Sequence, residues 1–276
     1  VSRFDGSVAW ITGGGSGIGH ALALELARQG ADVAVSGRRQ ERLEAVVGEI
    51  EALGRRGLAV TCDVADEASV AAAVDAVVAE FGKLDVAVAN AGWGLAGRFE
   101  TLTADDWRRQ FDVNVIGAAT TIRTALPELH KTQGRAVFIS SVMGFLTMSG
   151  QGAYAASKFA VRAMGLTLSQ ELHGSGVSCT TISPGFVESE IAQVDNQGRF
   201  RPERKDRRPQ QFMWPADKAA RVMAKAIADR KREYVFTGHG KVAAFLGKHA
   251  PGLIHFAATR QGAKKKVAAG NKNAGN

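Results

Sequence analysis

A rhythm constrains this chain more than any single residue does. Short runs rich in Val, Ile and Ala alternate with longer segments whose apolar residues recur at helical spacing. The strand-like runs are "SVAWIT" (7–12), "DVAVS" (32–36), "GLAVTC" (57–62), "LDVAVA" (84–89), "RAVFIS" (135–140), "VSCTTIS" (177–183) and "EYVFT" (233–237). Helical patterns fill the gaps at 17–29, 40–53, 66–81, 103–130, 151–173 and 215–230, and "ASVAAAVDAVVAEFG" ends on Gly82, where a helix should stop. Strand, helix, strand in repetition builds parallel βαβ units. The strands are nearly continuous apolar runs, as strands covered on both faces are. The expected fold is a single α/β doubly wound domain, a seven-stranded parallel sheet with helices on both faces.

Two stretches fall outside the rhythm. Residues 186–214 form a polar, Arg-rich connection longer than an ordinary loop, of the kind that serves as lid or binding segment or stays disordered. Residues 238–276 begin as two short amphipathic pieces broken at Pro251 and end in "AKKKVAAGNKNAGN", a basic tail expected to be disordered. These expectations divide the chain into a domain over 1–237 and a C-terminal extension over 238–276.

Directly after the first strand comes "TGGGSGIGH", Thr12 to His20. Glycines at a strand-to-helix turn let the backbone approach a pyrophosphate, and the helix N-terminus offers it free N–H groups and a positive dipole end. The spacing here differs from the common GxGxxG fingerprint. The second strand ends "VSGRRQ", with Gly37 where an acidic residue would bond a ribose hydroxyl, and Arg38 and Arg39 next. A cation there suits a 2′-phosphate, so NADP(H) is favoured over NAD(H); the alternative is that both arginines merely flank a solvated helix start.

Tyr154 and Lys158 stand four residues apart in "AYAASKFAV" and share one helix face. A neighbouring ammonium favours phenolate, which makes a tyrosine usable as a general acid/base. Ser141 lies thirteen residues upstream at the end of the fifth strand, and Asn114 sits in the middle of a helix, a poor place for Asn unless its side chain has a task.

Taken in order, TGxxxGxG at Thr12 to Gly19, Asp63 after the third strand, NAG at Asn90 to Gly92, Asn114, Ser141, YxxxK at Tyr154 to Lys158, and PG at Pro184 and Gly185 resemble the short-chain dehydrogenase/reductase family, over about Phe4 to Thr237. The resemblance implies a Rossmann-type fold and an oxidoreductase acting on CH–OH or C=O groups. It implies a catalytic set of Asn114, Ser141, Tyr154 and Lys158, with Tyr154 exchanging a proton with the substrate oxygen, Ser141 polarising the carbonyl and Asn114 holding a relay water. The cofactor-binding residues it implies are Gly13, Gly15, Ser16, Gly17, Ile18, Gly19, Asp63, Val64, Asn90, Ala91, Gly92, Tyr154, Lys158, Pro184, Gly185, Val187 and Ser189, joined by Arg38 and Arg39. Ala89 replaces the first Asn of the family's NNAG, and Ser189 stands where the family usually has Thr.

Family members wall their substrate with the segments after strands four, five and six, which here supply Trp93, Val142, Met143, Phe145, Leu146, Met148 and Phe186. This apolar set suits a bulky hydrophobic ketone or secondary alcohol. Two other readings compete with that enzyme: a non-catalytic NADP-binding regulator or scaffold, and a peripheral membrane lipid- or steroid-type reductase whose tail lies on anionic lipid. The formal charge of +8 concentrates in 198–209 and beyond 260, not along a basic and aromatic surface, so no nucleic-acid partner is expected. Cys62 and Cys179 have no metal-ligand spacing, and no metal is expected. The chain lacks a long apolar span, and its first residues lack a signal-peptide pattern, so a cytoplasmic location is expected. Related proteins commonly form homodimers or homotetramers through the long helices, here 103–130 and 151–173.

Overall fold

The computed structural model describes residues 2–206 and 208–260. Its elements follow the order β1 (Val8–Thr12), α1 (Gly17–Arg28), β2 (Asp32–Gly37), α2 (Gln40–Ala52), β3 (Gly57–Thr61), α3 (Glu67–Phe81) and β4 (Val86–Ala89), then α4 (Ala104–Phe111), α5 (Gly117–Thr132), β5 (Arg135–Ile139), α6 (Gly152–Glu171), β6 (Ser178–Ser183), α7 (Ala216–Ala228), β7 (Glu233–Val235) and α8 (Gly238–His249). The seven strands form one sheet in the order β3-β2-β1-β4-β5-β6-β7, every pair parallel. Rossmann-type topology follows directly from that order.

Alternate residues of each strand feed two separate cores. Ile11, Val33, Val35 and Val88 pack with Leu22 and Leu26 of α1 and Met223 and Ile227 of α7. Trp10, Ala34, Ala87 and Phe138 pack on the opposite face with Val70 and Val77 of α3, Ile122 and Leu129 of α5 and Val161 of α6. Both faces are covered by helices, which is why the strands read as unbroken apolar runs. Trp10 is fully buried, and its indole N–H donates to Ser36 Oγ at 3.0 Å, so its one polar atom is satisfied inside the core. α3 carries its own punctuation: the Asp66 carboxylate accepts from the Ala68 and Ser69 amides, and Gly82 leaves the helix at φ 79°.

The long segment expected as one helix over 103–130 is interrupted. Between α4 and α5 the chain makes a π-helical turn over Asp112–Ile116. A π-turn inserts one extra residue into the helical ladder and re-aims the side chains on either side of it. The residue at its centre is Asn114, and it is buried.

Residues 186–214 contain two short 3-10 turns, Glu190–Gln193 and Gln210–Phe212, and a tight reversal in which Val194 bridges Phe200 antiparallel. The Asp195 carboxylate organises that reversal, accepting from the Gln197 and Arg199 amides at 2.9 Å and from Arg201 Nε at 3.0 Å. Beyond β7, α8 starts at Thr237, whose hydroxyl accepts from the Gly240 amide, and residues 251–260 are again helical. The tail expected to be disordered lies outside the described residues.

Candidate active site

The chain reverses its winding at β1, whose two neighbours are β2 and β4. Such a switch point opens a crevice at the carboxyl ends of the strands. A cleft of about 320 Å³ lies there.

Its floor is the glycine turn. Thr12 Oγ1 donates to the Val88 carbonyl and accepts from the Asn90 and Ala91 amides, tying the end of β1 to the end of β4. Asn90 completes the tie, its Nδ2 donating to the carbonyls of Thr12 at 2.9 Å and Gly13 at 3.2 Å. Space in the turn is exhausted: a Cβ on Gly19 would lie 2.4 Å from the Gly13 carbonyl oxygen, and one on Gly13 2.8 Å from Ala91 Cα. Ser16 makes no side-chain cap on α1, and the first turn of that helix carries no acid. The helix N-terminus therefore presents free donors to the cleft, which suits a pyrophosphate. Gly13, Gly15, Ser16, Gly17, Ile18 and Gly19 all line it, as do Asp63, Val64, Asn90, Ala91 and Gly92.

Arg38, Arg39 and Arg42 form the rim beyond β2. Arg38 donates to the Gly198 carbonyl at 3.1 Å, and Arg39 to Ser16 Oγ at 3.3 Å and to the Glu190 carboxylate at 2.9 Å. A dinucleotide fits this end of the cleft on three counts: glycines that cannot carry side chains, an uncapped helix, and guanidinium groups at the outer edge.

At the other end stand Ser141, Tyr154 and Lys158. Lys158 is buried, and its Nζ donates to the Ile139 carbonyl at 3.0 Å. Burial alone pulls its ammonium down to about 8. The Tyr154 phenol is pushed up by burial, while a hydrogen bond to Ser141 and the charge of Arg208 pull the other way. The Lys158 ammonium is turned to a carbonyl at the end of β5 and sits 5.9 Å from the centre of the phenol ring. Ser141 Oγ also accepts from the Met143 amide at 3.1 Å, which holds the hydroxyl at the edge of the cleft.

Asn114 joins this group from the π-turn. Its amide pairs with the Trp93 backbone in both directions and donates to Ser157 Oγ at 3.1 Å. A Cβ on Gly92 would stand 3.1 Å from Asn114 Oδ1 and 3.7 Å from Lys158 Nζ, so the glycine lets these two side chains approach the NAG segment.

The remaining expected residues divide. Pro184, Gly185, Val187 and Ser189 line the cleft, and Trp93 borders it. Val142, Met143, Phe145, Met148 and Phe186 do not reach it. Phe145 is buried between Arg162 and Lys248, its carbonyl against Gly247 of α8; Phe186 stacks on His239; and Met148 is exposed. The cleft instead gains Ile191, Val194, Phe200, Glu190 and Arg208 from the 186–214 segment.

Several supporting residues carry no sequence signal. Gln110 is fully buried, accepting from the Leu95 amide at 2.7 Å and donating to the Trp93 carbonyl at 2.9 Å. Arg208 donates to the carbonyls of Val187 at 3.0 Å and Ser189 at 3.1 Å while pairing with Asp206, so it clamps the strand of chain that follows β6. His239 Nε2 accepts from the Phe186 amide at 3.2 Å, and burial holds the imidazole below its ordinary value, in the neutral form that can accept.

Comparison with known proteins agrees with the geometry. Residues 7–199 match the model of the short chain dehydrogenase family. An uncharacterized oxidoreductase of Myxococcus xanthus (strain DK1622) is 35% identical over 254 residues, 92% of this chain and 96% of the relative. A short chain dehydrogenase from Burkholderia cenocepacia J2315, solved in complex with NADP, superposes with a TM-score of 0.77 at 32% identity, covering 87% of this chain and 99% of that one. A short chain dehydrogenase/reductase from Burkholderia phymatum, solved with NAD, gives 0.76 at 32% identity over 85% and 90% of the two chains. The chain is a member of the short-chain dehydrogenase/reductase family and an oxidoreductase of nicotinamide-dependent type.

Proposed function

We propose that this oxidoreductase prefers NADP(H) and interconverts a hydrophobic ketone and its secondary alcohol, with Tyr154 as general acid/base. One observation carries the reading: Ser141, Tyr154 and Lys158 line one end of a cleft whose other end is the glycine turn and three arginines. A bound nicotinamide supplies the hydride chemistry, and the chain's own residues manage the oxygen. In reduction the Tyr154 phenol, raised by burial, is protonated at neutral pH and donates to the substrate oxygen. Ser141, hydrogen-bonded to Tyr154, turns its hydroxyl proton to the same oxygen when substrate enters, and Lys158, charged below about 8, favours the developing phenolate. Trp93, Ile191 and Val194 give the cleft an apolar wall that favours a hydrophobic substrate over a sugar.

The preference for NADP(H) rests on Arg38, Arg39 and Arg42 beyond β2, a strand that ends on Gly37 and not on an acid that would bond a ribose hydroxyl. Solved relatives of equal similarity hold NADP in one case and NAD in the other, so the arginines and not the fold support the choice. Residues 1–237 are the catalytic domain in this reading, and 238–276 are an extension whose helix α8 packs on it. An open apolar hollow between α5 and α6, bordered by Ile122, Leu126, Met164 and Leu168, supports homo-oligomerisation through those helices.

The test is a titration of NADP+ and NAD+ against wild type and Arg38→Ala, followed by a ketone and alcohol panel read by nicotinamide absorbance. Tighter NADP+ binding that Arg38→Ala weakens about tenfold supports the reading. A wild type that binds NAD+ more tightly contradicts the cofactor assignment, and turnover confined to sugars contradicts the substrate class.

A further inference from the structure

The arginines that favour a 2′-phosphate already hold an anion of the chain's own. Glu190 places one carboxylate oxygen 2.9 Å from Arg39 Nη2 and the other 3.8 Å from Arg42 Nη2. Glu190 comes from the 186–214 segment, which is otherwise fixed at several points around the cleft. Ser189 packs so closely on the glycine turn that a Cβ on Gly17 would lie 2.9 Å from its own. The Gly198 carbonyl accepts from Arg38, and the Phe200 ring lies 5.4 Å from the Arg39 guanidinium. On the far side Asn196 pairs with the backbone of Ala96, donating to its carbonyl at 2.8 Å and accepting from its amide at 3.3 Å. The segment is a strap across the cleft, and its fastening at the β2 rim is made of the same guanidinium groups that the cofactor assignment uses.

We infer that Glu190 is the resident occupant of the 2′-phosphate subsite and sets the discrimination between the two nicotinamide dinucleotides. The inference rests on the reading of Arg38 and Arg39 as that subsite. A phosphate monoester carries a charge of about −1.5 to −2 near neutrality and three acceptor oxygens, against one charge and two oxygens for the carboxylate. It therefore displaces Glu190 from Arg39 and Arg42, but against the repulsion of a carboxylate that stays close. A cofactor without the phosphate meets no such repulsion, and its 2′-hydroxyl finds in Glu190 the acceptor that the end of β2 lacks. Glu190 thus favours NAD(H) against the arginines, and displacing it releases one fastening of the strap.

The experiment measures dissociation constants for NADP+ and NAD+ by tryptophan fluorescence at about 50 mM salt, where screening between exposed charges is weak. Wild type is compared with Glu190→Gln, Glu190→Ala, Arg38→Ala and Arg39→Ala, each checked for a wild-type circular dichroism spectrum. Both Glu190 variants should shift the ratio of the two constants toward NADP+ by about three- to fivefold, the upper part of the range open to exposed charge pairs. Adenosine 2′,5′-bisphosphate should follow NADP+. A ratio that stays within about twofold of wild type, or moves toward NAD+, overturns the role of Glu190 while arginine variants that weaken NADP+ leave the subsite standing. If Arg38→Ala and Arg39→Ala both leave NADP+ binding unchanged, the subsite is misplaced and the inference falls with it.

Discussion

Asn114 pairs with the peptide backbone of Trp93 as a neighbouring strand would: its Oδ1 accepts from the Trp93 amide at 3.0 Å and its Nδ2 donates to the Trp93 carbonyl at 2.9 Å. One side-chain amide thereby extends β4 beyond its last residue, into the segment that borders the cleft. The π-turn makes this reach available in the interior of a helix.

Asn114→Ala should therefore destabilise the protein and disturb the site together. It strands the Trp93 amide in a buried setting while the carbonyl keeps Gln110 as donor, at about 1 to 3 kcal/mol of unfolding free energy. Urea unfolding checks the magnitude, and kcat should fall more than cofactor affinity. A loss below about 1 kcal/mol contradicts the bracing role.

Gly19→Ala should abolish dinucleotide binding, because the new methyl would meet the Gly13 carbonyl at 2.4 Å and Asn90 Nδ2 at 2.5 Å. Neither can yield without opening the Thr12 and Asn90 tie. Gly48→Ala is the matched control in α2: nothing lies within 4 Å of its Cβ, and Ala at a helix interior gains up to about 1 kcal/mol. Isothermal titration with NADP+ should show more than a tenfold loss for the first and no change for the second; equal affinities would show that the turn is not a phosphate cradle.

Lys158→Met should stabilise the protein at pH 7. The Lys158 ammonium, ordinarily near 10.5, is pulled down to about 8, so holding it charged in the folded state costs about 3 kcal/mol below pH 8. Between about 8 and 10.5 the unfolded chain binds the proton that the folded chain has lost, so this cost fades as pH rises. Methionine removes it but leaves the Ile139 carbonyl without its donor, which returns about 1 to 2 kcal/mol. A net gain of about 1 to 2 kcal/mol at pH 7 should shrink and reverse by pH 10.5 in denaturant unfolding; a variant less stable than wild type at pH 7 contradicts it.

How much of this was legible beforehand divides along physical lines. The sheet, its helices and the cleft could be read because they depend on local periodicity and on glycines that a turn demands at Gly13 and Gly19. The interruption at Asn114 could not, since the partners that Asn114 meets from the π-turn, Trp93 and Ser157, lie far from it in the chain. Phe145 and Phe186 were apolar residues in the right segments, but α8 and His239 cover them, and both partners come from beyond β7. Glu190 and Arg208 lie in a polar segment without periodicity, so only the folded chain shows which of its charges face the cleft.

The central claim is that Tyr154 handles the proton at the substrate oxygen, and Tyr154→Phe tests it most directly. The phenylalanine keeps the ring and removes only the hydroxyl that meets Ser141. Turnover of a ketone that wild type reduces should fall by at least about a thousandfold, with NADP+ affinity within about twofold of wild type. Activity retained within about tenfold would contradict the assignment.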